Sequence, residues 1–178
     1  MTKIAVLVGS LREGSSNQHF AEAVEKLLPE GVEFEYANLN LPLYNQDLEA
    51  SYPADTTKLK ELIESSDGVF IVTPEYNRGY PGVLKNAIDW ASRPWGTNSF
   101  DGKPAVIAGV SGSPLGTTQA QSQLRNVLIY LNTKLMGQPE AYLQSSRALN
   151  EDGTLTDEVK EFAQTFTNAL VAHVQSTN

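Results

Sequence analysis

The chain has 178 residues, 40% hydrophobic and 19% charged, with a net charge of −8 and no cysteine. That length predicts one domain with a substantial core, covering 1–178. The acidic balance excludes a field that would draw in nucleic acid or an anionic membrane, and the missing cysteines exclude disulfides, thiolate nucleophiles and thiolate metal sites.

No apolar run approaches the ~20 residues that span a bilayer. Met-Thr-Lys at the start lacks the profile of a signal peptide, so a cytoplasmic protein is expected. Residues 3–8 predict a strand apolar on both faces, Ile4, Val6 and Val8 on one and Ala5 and Leu7 on the other. That pattern suits the centre of a parallel sheet. Residues 9–17 (Gly-Ser-Leu-Arg-Glu-Gly-Ser-Ser-Asn) form a loop, and 17–28 a helix carrying Phe20, Val24, Leu27 and Leu28, capped by Ser16 or Asn17. Residues 32–38 alternate with one polar face, as an exposed edge strand does. Residues 39–55 are a long loop in which Leu43 and Tyr44 cover a ligand or pack over the sheet end.

A short amphipathic helix at 56–66 leads to a buried strand at 68–73. The loop 74–82 (Pro-Glu-Tyr-Asn-Arg-Gly-Tyr-Pro-Gly) then opens a helix striped by Leu84, Ala87, Ile88 and Ala91. After a loop at 93–103, residues 104–110 are a third buried strand, followed by the Gly/Ser loop 111–117. The spacing of Leu124, Val127, Leu128, Leu131 and Leu135 predicts a helix closed by Gly137. A brief strand at 140–143 and a final helix capped by Thr156 complete the chain. Five β-α repeats predict an α/β fold: a doubly wound parallel sheet of five strands, flavodoxin-like, in the order 2-1-3-4-5.

In such a sheet ligands bind beyond the strand C-terminal ends. Three loops meet there: 9–17, 74–82 and 111–117. The first offers N–H groups, hydroxyls and one guanidinium at a helix N-terminus, where the macrodipole favours anions; its rival reading is a flexible capped turn. The second offers an aromatic and amide platform. The third lets backbone approach a ligand closely. Gly9 and Gly14 are not followed by the Lys of a nucleotide P-loop, and no Gly-x-Gly-x-x-Gly follows the first strand. The donors suit a terminal monophosphate, with Arg12 the largest contributor.

Gly-Ser-Leu-Arg-x-Gly-Ser-x-Asn (9–17), Pro-Glu-Tyr-Asn (74–77) and Pro-Gly-Val-Leu-Lys-Asn-Ala-Ile-Asp-Trp (81–90) together resemble the NADPH-dependent FMN reductase family. The resemblance implies that Ser10, Arg12, Ser15, Ser16 and Asn17 surround the phosphate of bound FMN. It implies that Pro74, Glu75, Tyr76 and Asn77 line the isoalloxazine ring, largely through backbone, and that Ser111 and Gly112 approach from the third loop. The sequence departs from the family pattern at Gly79, where many members have Ser, and at Thr117, where many complete a Gly pair with Gly116. The implied activity is ping-pong: NAD(P)H reduces FMN and leaves, then a quinone, free flavin, azo compound or metal oxyanion takes the electrons. No catalytic side chain is required, since flavin carries the electron chemistry. A flavodoxin-like electron carrier and a flavin-binding redox-regulatory module are the rival readings.

His19 and His173 read as surface and structural residues, with no companion at ligand spacing, so no metal site is expected. The side chain of Glu75 is expected to be structural or to face a neighbour, and Lys85 and Asp89 to form a solvated pair. Trp90, Trp95, Phe100 and Tyr80 are expected to cluster near the third helix, as core or as a subunit interface. The resemblance implies a homodimer or homotetramer.

Overall fold

The structure, a computed structural model, describes residues 1–177. In chain order it comprises β1 (Thr2–Val8), α1 (Ser16–Glu25), β2 (Val32–Tyr36), a 3-10 turn (Gln46–Ser51), α2 (Ala54–Ser65), β3 (Gly68–Val72) and α3 (Gly82–Ala91). It continues with β4 (Pro104–Ser111), α4 (Thr118–Tyr130), β5 (Lys134–Leu135), β6 (Ala141–Gln144), α5 (Ser145–Ala148) and α6 (Asp157–Thr177). The strands run parallel in the order β2-β1-β3-β4-β5, with β6 also paired to β4. This is the expected flavodoxin-like arrangement.

Alternation along the strands divides the core in two, because successive side chains point to opposite faces. Ile4, Val6 and Val8 pack with Phe70, Val106 and Val110 beneath α1 and α6. Ala5 and Leu7 pack with Val69, Ile71 and Ile107 beneath α2, α3 and α4. Phe166 of α6 joins the first layer, its ring centroid 6.2 Å from Phe20 and 5.9 Å from Phe70. In β2, Val32, Phe34 and Tyr36 are half-buried while Glu33 and Glu35 face solvent, as an edge strand requires.

The expectation of one helix running to Gly137 is overturned. α4 ends at Tyr130, and Asn132 turns the chain with φ of 61°. Leu135 then lies in β5, opposite Ala105. A strand residue placed seven positions after Leu128 had mimicked one more helical repeat. The fifth sheet position is therefore filled twice: β5 pairs the start of β4 and β6 its end. The first-helix cap is Ser15, not Ser16 or Asn17. The expected aromatic cluster also divides: Trp90 and Phe100 are core, whereas Trp95 is 77% exposed on the loop after α3, at the opposite end of the sheet from the three loops.

The long loop 37–53 is tied to α3. Trp90 Nε1 and Asn86 Nδ2 donate to the Pro42 carbonyl at 2.7 and 2.9 Å, and the Tyr44 ring meets Trp90 edge-on at 5.1 Å. Burial pushes the Tyr52 hydroxyl up to about 12, so it stays protonated and donates to the Arg93 carbonyl. Tyr44 thus packs, while Leu43 stays 82% exposed.

Inside β4, Gly109 sits where two neighbours converge. A Cβ there would lie 2.2 Å from Thr117 Oγ1 and 2.3 Å from the Thr73 carbonyl oxygen. Gly109→Ala is expected to cost about 1–3 kcal/mol in urea denaturation, and Thr117→Ala to restore only part, since the Thr73 backbone remains. A wild-type midpoint for Gly109→Ala would contradict this packing.

Candidate active site

The first loop begins where Gly9 N–H donates to the Val72 carbonyl at 2.8 Å, holding it beside the end of β3. Gly14 adopts φ of 64°, and the Ser15 hydroxyl caps α1 by accepting from Asn17 N–H at 3.3 Å. The N–H groups of Gly14, Ser15 and Ser16 make no bond to other described residues. They lie at the positive end of α1, as anion sites do. Arg12 is exposed, and its guanidinium makes one long contact, 3.4 Å to the Glu13 carbonyl. It is therefore available for a stronger partner.

Asn17 is 3% exposed, and its amide is fully engaged with β4. Nδ2 donates to the Val110 carbonyl at 2.9 Å and Oδ1 accepts from Val110 N–H at 2.9 Å. The last backbone bond from β3 to β4 is Thr73 N–H to the Ala108 carbonyl. Beyond it β3 turns away, and Asn17 takes its place on the next residue that faces that side of β4. Its side chain thus joins the first loop to the third.

The second loop leaves β3 through Thr73, whose hydroxyl donates to the Pro74 carbonyl at 2.8 Å. Glu75 Oε2 accepts from the N–H groups of Gln119 and Ala120 at 2.9 and 3.0 Å. These are orphan donors of α4, whose own N-cap, Thr117, provides no side-chain bond. The Glu75 side chain is thus structural, as expected, and its charge suits a helix N-terminus. Tyr76 and Gly79 then exchange backbone bonds of 2.9 and 3.0 Å. Asn77 and Arg78 between them have φ of 52° and 65°, the pattern of a type I′ turn. Gln123 Nε2 braces this turn by donating to the Arg78 carbonyl at 2.7 Å. A Cβ at Gly79 would come no closer than 3.3 Å to the Gln123 side chain, so no backbone demand keeps this position glycine.

In the third loop the Ser111 hydroxyl donates to the Gly116 carbonyl at 2.7 Å and accepts from Ser113 N–H at 3.1 Å. Gly116 has φ of 60°, and a Cβ would lie 2.7 Å from the Tyr142 carbonyl carbon, so glycine is required there. Thr117, in place of a second glycine, is buried and accepts from Gln121 Nε2 at 2.9 Å. At Gly112 an added Cβ meets nothing within 4 Å, leaving backbone open to a ligand.

Together the loops line a cavity of about 170 Å³ bounded by Ser10, Arg12, Ser15, Ser16, Asn17, Pro74, Glu75, Tyr76, Ser111 and Gly112, with Val110 added. Of the expected site residues, Asn77 alone is outside it, exposed at the hairpin tip. Val110 was not anticipated: it contributes as the last apolar residue of a strand, and no side-chain chemistry marks it. Gln123 and Arg78 were missed as well; the positive-φ demand of the Asn-Arg turn was the available signal. Four larger cavities exist among the described residues, two of them only slightly larger, at about 220 Å³ beside Arg147 and Glu158 and about 210 Å³ beside Asp55 and Lys58; the other two are grooves. One of about 710 Å³ lies at the opposite sheet end beside Trp95, and one of about 820 Å³ lies between α1 and α6, where His19 packs on Gly153. None of the four gathers free N–H groups, hydroxyls and a guanidinium at a helix N-terminus as the smaller cavity does, so the latter is the candidate site. His173 bonds the Lys134 carbonyl at 2.7 Å, far from it, and Lys85 pairs with Asp89 at 2.7 Å as expected.

A family model describing NADPH-dependent FMN reductases matches residues 2–148. The chain belongs to that family. It is 45% identical over 176 residues to a 2-hydroxy-1,4-benzoquinone reductase of a Burkholderia species, covering 97% of this chain and 96% of the relative. It is 42% identical to a quinone reductase of Pseudomonas putida, covering 97% and 94%. Among solved structures it resembles FerB, a flavoenzyme NAD(P)H:(acceptor) oxidoreductase of Paracoccus denitrificans, with a TM-score of 0.93, 44% identity and 99% of each chain covered. The family is one of FMN-binding reductases that draw on NAD(P)H. The residues present fit the FMN phosphate. Free N–H groups, hydroxyls and an available guanidinium line a small open cavity, and the open backbone at Gly112 gives access beside it.

Two side chains carry this geometry without needing to touch a ligand. Asn17→Ala leaves Val110 N–H and C=O unpaired in the interior and is expected to cost roughly 2–4 kcal/mol in urea denaturation. Glu75→Ala removes the α4 cap and is expected to cost about 1–2 kcal/mol while leaving FMN affinity within about twofold. A large loss of FMN affinity in Glu75→Ala with unchanged stability would overturn the capping role.

Proposed function

We propose that this protein is an FMN-dependent NAD(P)H:quinone oxidoreductase that works by ping-pong exchange, donor and acceptor using one open slot in turn. Ser10, Arg12, Ser15 and Ser16 hold the FMN phosphate. Asn17 fixes the loop that presents them. Pro74, Glu75, Tyr76 and Asn77 form the platform beside the ring through backbone, and Ser111 and Gly112 close the ribityl side. When bound, FMN supplies the hydride chemistry; the chain binds, orients and partly shields it.

The observation that carries this reading is the convergence of three loops on one small cavity. A volume of about 170 Å³ is below the roughly 300–1,000 Å³ of a site that swallows a whole ligand. It suits the phosphate end and leaves the reactive end open. Each loop also exposes one large apolar side chain: Leu11 at 53%, Tyr76 at 53% and Leu115 at 52%. Such a rim favours flat, apolar acceptors, which supports quinones among the classes that include free flavin, azo compounds and metal oxyanions. The two relatives described as quinone reductases support the same choice. An open ring face also suits a homodimer whose second subunit covers part of the slot.

Anaerobic mixing with NADPH is expected to bleach the flavin band, and benzoquinone to restore it; a flavin that does not bleach would make the protein an electron carrier instead. Initial rates at varied donor and acceptor are expected to give parallel double-reciprocal lines. Arg12→Ala removes one charge-assisted contact of about 1.5–3 kcal/mol and is expected to weaken FMN by roughly ten- to a hundredfold in a fluorescence titration, with the fold intact. Sedimentation velocity of the holoprotein tests the dimer.

A further inference from the structure

The three loops of the cleft carry two cations, Arg12 and Arg78, and two anions, Glu13 and Glu75. Glu75 is engaged with the start of α4. Arg12 stands at the phosphate cradle. That leaves Arg78, which is exposed, joins no ion pair among the described residues, and sits two positions beyond Tyr76 of the ring platform.

Its backbone is unusual. Arg78 has φ of 65° at the second central position of a type I′ turn, a place that favours glycine. Gly79 follows immediately, yet it lies outside the left-handed region. The chain thus has glycine one residue past the position that needs it, and an arginine where the strain falls. The strained residue is also braced, by Gln123 on its carbonyl and by the two bonds between Tyr76 and Gly79. Strain held in place beside a ligand cleft points to a task for the side chain.

The task follows from charge. A pyridine nucleotide brings several phosphate charges to a chain of net charge −8, and no dinucleotide-binding glycine fingerprint follows the first strand to receive them. A guanidinium on a rigid turn can bind a phosphate through two parallel hydrogen bonds. We infer that Arg78 anchors the donor: its guanidinium binds a phosphate group of NAD(P)H while the nicotinamide lies over the ring platform. The inference rests on the reading that Pro74, Glu75 and Tyr76 flank the flavin ring.

The test uses the FMN-loaded protein with Arg78→Gly and Arg78→Lys. Glycine suits the turn, so Arg78→Gly is expected to melt at or above the wild-type temperature. FMN affinity is expected to stay within twofold. In anaerobic rapid mixing the apparent Kd of the donor is expected to rise about ten- to a hundredfold, the loss of one charge-assisted contact, with the limiting reduction rate nearly unchanged. Its dependence on KCl is expected to flatten, and Arg78→Lys to recover part of the affinity. Equal losses for NADH and NADPH assign the contact to the pyrophosphate; a loss confined to NADPH assigns it to the 2′-phosphate. An unchanged donor Kd overturns the inference. So does a parallel loss of FMN, which would make the turn part of the cofactor site, or dissociation of subunits with donor affinity intact. Arg12→Ala in the same series keeps the two readings apart: unchanged FMN affinity there removes the cradle assignment, whatever Arg78 does.

Discussion

A cleft at the end of a parallel sheet requires neighbouring strands to part, and parting leaves backbone groups without partners. Here β3 turns away after Thr73, and the N–H and C=O of Val110 are left inside the protein. An unpaired buried peptide group costs about 1–3 kcal/mol, so the opening must be compensated. Asn17 does this because its amide has a donor and an acceptor side by side, like the peptide it replaces. Aspartate has no donor when ionised, and leucine of similar size has neither group. The same bond fixes the start of α1 against the end of β4. The first loop and the third loop are therefore held at a set distance from one another.

Most other polar side chains around the cleft follow the same logic. Glu75 serves the orphan N–H groups of α4, Ser111 holds its own loop, and Gln123 braces the Asn77-Arg78 turn. These contacts consume side chains on architecture and leave backbone N–H groups and open glycine to face the cleft. Binding by backbone is rigid, since the groups are fixed by the elements they belong to. It also explains why acids and bases are scarce among the lining residues: a bound flavin carries its own reactivity and needs orientation more than proton transfer.

The fold was legible because its signals are local. The apolar runs at 3–8 and 68–73, the alternation at 32–38, the glycine and proline punctuation, and the five β-α repeats each depend on neighbours in sequence. The site was legible as a set of loops for the same reason. What escaped depends on distant partners. Asn17 read as a cap or phosphate ligand, because Val110 lies 93 residues away. The end of α4 was misread because Leu131 and Leu135 continue a helical spacing, and only pairing with Pro104 and Ala105 makes 134–135 a strand. Trp95 seemed to belong with Trp90, yet the loop after α3 carries it to the far end of the sheet. The side chain of Glu75 read as structural or facing a neighbour; its bonds to Gln119 and Ala120, 44 and 45 residues away, give that role its form.

The rim of the cleft then separates affinity from selectivity. On the proposed reading the anchor is polar and small, made of free N–H groups, serine hydroxyls and Arg12, so it fixes the cofactor class with little latitude. The rim side chains Leu11, Tyr76 and Leu115 sit on loop tips, away from the buried core, and their substitution disturbs neither sheet layer. Arg78 shares that position but has a fixed backbone. On the proposed reading, acceptor preference can drift through the apolar rim while donor recognition stays tied to a braced turn. In that reading the two demands fall on different parts of the cleft: the acceptor meets adaptable surface, and the donor meets a charge held in place.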